Sequence, residues 1–70
     1  MENEELRVLF WEKIKETDRS FAWFHRNYLG ESKLAYNTLY KQSVGKELKV
    51  MSNFLVSAME KFIQEYKIQN

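Results

Sequence analysis

A single all-α bundle of four or five short helices is the fold this sequence predicts, and three observations predict it. Seventy residues contain no proline and only two glycines, so few positions force a helix to stop. Apolar residues recur three or four positions apart through most of the chain, which is the spacing of one helix face. Eleven residues are aromatic (Phe10, Trp11, Phe21, Trp23, Phe24, Tyr28, Tyr36, Tyr40, Phe54, Phe62, Tyr66) and bury large areas with few rotatable bonds. A chain this short buries only about 60% of its unfolded surface, so one well-filled core must carry its stability.

The first helix is expected at about residues 3 to 16, where Leu6, Phe10 and Ile14 repeat every four positions with Leu9 beside them. Glu2, Glu4 and Glu5 suit the positive end of its dipole. Val8 and Trp11 fall on its other side and hint at a second buried surface. Thr17 and Asp18 interrupt the pattern, and either Asp18 or Ser20 can cap a second helix running to about Leu29. Phe21, Phe24 and Tyr28 share its inner face, while Trp23 projects with Arg19, Arg26 and Asn27. Gly30 is expected to close this helix in the left-handed conformation. Ser32 is then expected to cap a third helix, Ser32 to Val44, with Leu34, Ala35, Thr38 and Leu39 facing the core. Lys33, Tyr36, Asn37, Tyr40 and Val44 take the opposite arc, with Lys41 at its edge. Residues 46 to 51 fit a short helix, a continuation or an extended piece equally well. Ser52 caps a last helix to about residue 67, with Leu55, Ala58 or Met59, Phe62 and Tyr66 as its stripe and Val56 and Ile63 widening it. The expected core is Leu6, Leu9, Phe10, Ile14, Phe21, Phe24, Leu34, Leu39, Leu55, Met59 and Phe62.

Several classes of function find no support in these residues. The absence of cysteine removes disulfides, thiol nucleophiles and thiolate metal sites, and the lone His25 cannot form a histidine pair. No Gly-rich phosphate loop occurs, and one Asp, one His and scattered glutamates do not make the clustered acid and base of an active site. The expectation is a non-enzymatic protein with no metal and no cofactor. The longest apolar runs are far below the roughly 20 residues that cross a bilayer. The acidic start Met1-Glu2-Asn3-Glu4-Glu5 is not an export signal either, so a cytoplasmic location is expected.

The formal net charge of +1 hides a division along the chain. Residues 1 to 18 carry −3, from Arg7, Lys13 and Lys15 against Glu2, Glu4, Glu5, Glu12, Glu16 and Asp18. Residues 19 to 49 carry +4, from Arg19, Arg26, Lys33, Lys41, Lys46 and Lys49 against Glu31 and Glu47. Such a local excess fits a polyanion partner and equally fits the ordinary scatter of a solvated helical surface.

Ser20 to Leu29 followed by Gly30-Glu31-Ser32 and then Lys33 to Lys41 resembles the helix-turn-helix of small phage and plasmid regulators of the repressor and Cro type. The resemblance covers residues 20 to 45, and Asn37-Thr38-Leu39-Tyr40-Lys41 ahead of Gly45 looks like the end of a recognition helix with its following loop glycine. Arg26 stands where that family prefers a small alanine, and Glu31 where an apolar residue is usual. The resemblance implies a bundle with a helix-turn-helix-like centre, a double-stranded DNA partner and a phage or mobile-element setting. On it, Lys33, Tyr36, Asn37 and Tyr40 would contact bases, and Arg19, Arg26, Lys41, Lys46 and Lys49 would contact phosphates. Homodimerisation is expected as well, because paired half-sites call for paired readers. A protein-interaction module is the rival reading, with Trp11, Trp23, Val56, Met59 and Ile63 as its surface.

Overall fold

The computed structural model describes residues 2–46 and 50–66, and among them every regular element is an α-helix. The order is α1 (Asn3–Glu16), α2 (Phe21–Tyr28), α3 (Tyr36–Val44) and α4 (Asn53–Glu65). The all-α bundle is therefore present, with α1 lying along α4 as its principal helix pair. A radius of gyration of 11.2 Å equals the value of about 11 Å expected for a compact domain of this length.

Local chemistry sets each helix end. Glu4 and Glu5 occupy the first turn of α1 and Lys13 and Lys15 its last, matching the dipole at both ends. Asp18 adopts φ 56°, and the amides of Asp18 and Arg19 donate back to the carbonyls of Lys15 and Ile14. This is a Schellman closure, with aspartate in the position glycine usually takes. Asp18 therefore finishes α1, and Ser20 alone caps α2, its Oγ accepting from the Trp23 amide at 3.2 Å. Ser52 caps α4 in the same way through the Leu55 amide. The last helix ends at Glu65, just short of the expected 67.

The connection between α2 and α3 departs from expectation. Gly30 does not have a positive φ; it lies inside a turn closed by the Ser32 amide donating to the Leu29 carbonyl. Ser32 caps no helix, because its Oγ accepts from the Leu34 amide two residues on. The chain then bends at Lys33 and Leu34, Ala35 is extended at φ −67° and ψ 152°, and α3 begins only at Tyr36. Leu29 to Ala35 thus form a seven-residue link, against three or four residues in a helix-turn-helix motif. Gly45, at φ 78°, is the left-handed residue that closes α3.

The core is an aromatic junction. Phe10 of α1 meets Phe24 of α2 at 4.6 Å and Phe62 of α4 at 5.7 Å, centroid to centroid, and Phe24 meets Phe62 at 5.6 Å. All three are fully buried, together with Leu6, Leu29, Leu39, Leu55 and Met59. Their tilted and edge-on packing suits ring quadrupoles and adds about 0.5–1.5 kcal/mol per pair beyond area burial. Two expected core residues lie outside it: Leu34 stands in the link rather than on a helix, and Leu9 falls at the edge of the inner stripe of α1. Leu29, Met51 and Ala58 complete the core instead.

Candidate nucleic-acid interface

α3 is attached to the bundle by its inner edge. Leu39 and Ser43 are fully buried, and the Ser43 hydroxyl is satisfied by donating to the Tyr40 carbonyl at 2.7 Å. Helical spacing then turns Asn37 and Lys41, one turn apart, to the exposed side. Tyr36 and Tyr40 are not on the side opposite the core, as the wheel suggested. Their rings lie parallel to each other and rest on Phe21, with centroids 5.5 and 5.4 Å from it. An aromatic side chain is long enough to reach over the first residue of α2 from a flanking position, so about 40% of each tyrosine stays exposed. His25 adds an edge contact to Tyr36 at 5.1 Å.

The expected phosphate contacts that the structure describes lie on different segments of the fold. Lys41 and Lys46 are exposed at the C-terminal end of α3, where they line a shallow hollow of about 260 Å³ with Tyr40 and Val44. Lys33, expected to contact a base, is exposed but precedes α3, because the cap position of the helix falls at Ala35, three residues after the expected Ser32. Arg19 belongs elsewhere: its guanidinium lies 4.4 Å above the Trp23 ring, and Trp23 packs on Phe62 of α4 and on Tyr66 just after it. Arg26 is exposed on α2. Lys49 lies outside the described residues.

The residues expected to form a protein surface are largely used within the fold. Met59 is fully buried. Trp11 stacks on Phe21 at 6.0 Å and its Nε1 donates to the Ser43 carbonyl at 3.1 Å, so it joins α1 to α3. Trp23, Val56 and Ile63 are half-buried against the core. Periodicity could not show this, since a half-buried ring at the edge of a stripe reads the same whether its neighbour is another helix or a second protein. The large apolar side chains left exposed include Val8, Val50 and Phe54, and Phe54 borders a cleft of about 460 Å³ whose walls include Trp23, Asn27, Lys61 and Tyr66. At one end of that cleft the Tyr28 hydroxyl donates to the Glu65 carboxylate. Burial and this acidic partner both hold the phenol above its ordinary range.

Among the described residues no group of three or more His, Asp or Glu side chains could hold a metal ion, and no helix is long and apolar enough to cross a membrane. Comparison with protein-family models, with curated proteins and with solved structures yields no match for the chain.

Proposed function

We propose that this protein is a small DNA-binding regulator that presents α3 to the major groove of duplex DNA. The observation that carries the reading is the outer edge of α3, where Asn37 and Lys41 are exposed on a helix fixed by Leu39 and Ser43. An asparagine amide matches the paired acceptor and donor on the edge of adenine. The half-exposed Tyr36 and Tyr40 rings can touch a thymine methyl group or donate to phosphate, and Lys33, Lys41 and Lys46 can neutralise phosphates from both ends of the helix. The seven-residue link makes this a reader with a longer turn than the helix-turn-helix motif has, so α3 stands further along the chain from its bracing helix. Two copies on one duplex would read paired half-sites.

The test is binding to random duplex DNA across about 50 to 200 mM salt, followed by selection of a preferred sequence. Asn37→Ala is expected to relax base preference, and Lys41→Ala to weaken binding to all sequences and reduce the salt slope by about one. No binding at the lowest salt, or identical behaviour of the two variants, refutes the proposal. The second reading, a protein-contact module, is favoured by the exposed Phe54 beside the Trp23 and Tyr66 cleft. It predicts that Phe54→Ser abolishes a light-scattering dimer while leaving the helical circular dichroism unchanged.

A further inference from the structure

We infer that α1 clamps the C-terminal turn of α3, with Arg7 and Trp11 as positioning residues that set the angle at which the Asn37 and Lys41 edge meets DNA. The inference rests on the DNA-binding reading and deepens it. The last carbonyls of a helix have no partner within it, and α1 supplies donors to two consecutive ones in α3. Arg7 Nε donates to the Gln42 carbonyl at 3.0 Å, and Trp11 Nε1 donates to the Ser43 carbonyl at 3.1 Å. The two donors are one turn apart on α1, so they grip the turn from one helix face. A guanidinium at this end also faces the negative pole of the α3 dipole.

The next glycine makes room for this arrangement. A Cβ at Gly45 would stand 2.7 Å from Nε and from Cζ of Arg7, so the guanidinium lies where only a glycine leaves space. The Trp11 ring extends the grip to the other end of α3, since it stacks on the Phe21 ring that supports Tyr36 and Tyr40. A third attachment comes from the chain entering α4, where the Ser52 amide donates to Gln42 Oε1 at 2.9 Å. At the N-terminal end Ala35 provides no side-chain cap, and Tyr36 is held there by ring contacts with Phe21 and His25. The directional hydrogen bonds to Gln42 and Ser43 thus grip α3 at its C-terminal turn, two of the three from α1.

Arg7→Lys keeps the charge but loses the planar Nε–H, and Trp11→Phe keeps an aromatic ring but loses the indole N–H. Two readouts apply to each variant: preference for a duplex selected by the wild type over random duplex, and amide hydrogen exchange in α3 against α4. The expected result is an about fivefold loss of preference and about fivefold faster exchange confined to α3, the size of one lost hydrogen bond. Random-duplex affinity and its salt slope should stay at wild-type values. Unchanged preference together with unchanged α3 exchange overturns the clamp. Exchange accelerated equally in α3 and α4 also overturns it, by showing a general loss of stability. If the wild type binds no duplex, the DNA reading fails by itself, and exchange confined to α3 still decides for or against the clamp.

Discussion

Replacing Gly45 by alanine tests two physical arguments with one methyl group. The left-handed backbone at φ 78° is open to glycine and costs an L-residue about 1–2 kcal/mol. The new Cβ would also meet the Arg7 guanidinium at 2.7 to 2.9 Å. Arg7 must then withdraw from the Gln42 carbonyl, which removes a partly exposed charged hydrogen bond of about 1 kcal/mol. The combined loss of about 2–3 kcal/mol is large against the roughly 4–10 kcal/mol of total stability expected for a domain of this length. It corresponds to a fall in Tm of about 10 to 20 °C, read by thermal circular dichroism. Gly30→Ala is the internal control, since Gly30 lacks a positive φ and its added Cβ would lie 3.4 Å from the Arg26 carbonyl oxygen. That change should stay within about 1 kcal/mol of wild type. Equal melting of the two variants would refute the reasoning, because it would mean that neither the backbone conformation nor the Arg7 contact distinguishes the glycines.

Phe10→Ala opens a cavity where α1, α2 and α4 meet and should cost about 3–5 kcal/mol, enough to unfold much of the population; urea titration alongside the milder Phe10→Leu checks it. Ser20→Ala should cost about 1 kcal/mol through the lost cap of α2, whereas Ser32→Ala should stay within about 0.5 kcal/mol because that serine closes only a turn; denaturant midpoints separate the two. For Tyr28 the folded phenol is held above its ordinary value of about 10, so the unfolded chain gives up its proton first. Stability contributed by this group is present below about pH 10 and is lost as pH rises beyond it. Tyr28→Phe should show a shallower alkaline decline than wild type, and parallel declines above pH 10 would contradict the assignment.

Helix number and the buried stripes were legible because both depend on periodicity, as in Leu6, Phe10 and Ile14 or Leu55, Met59 and Phe62. The start of α3 was not. Ser20, Ser32 and Ser52 look alike as capping residues in sequence, yet Ser32 binds an amide two positions on while the other two bind one three positions on. Which geometry forms depends on where the chain goes next, and here Tyr36 is placed against Phe21 and His25. In the candidate interface, the exposure of Asn37 and Lys41 follows from an inward Leu39, so pattern alone sufficed. The lean of the two tyrosines did not follow, because it depends on the reach of their rings. Arg7 gave no signal: its partner is a backbone carbonyl, which every residue possesses, and the glycine beside it at position 45 reads in sequence as an ordinary helix end.

The placement of the two tryptophans has an optical consequence. Trp11 lies where α1 meets α3, and Trp23 lies where α2 meets α4, so each indole reports on a different junction. Single-tryptophan variants divide the fluorescence of this 70-residue chain into two local signals. Emission from Trp11 alone follows the release of α3 from α1, and emission from Trp23 alone follows the parting of α2 from α4, so the order in which the bundle comes apart can be timed with no added label.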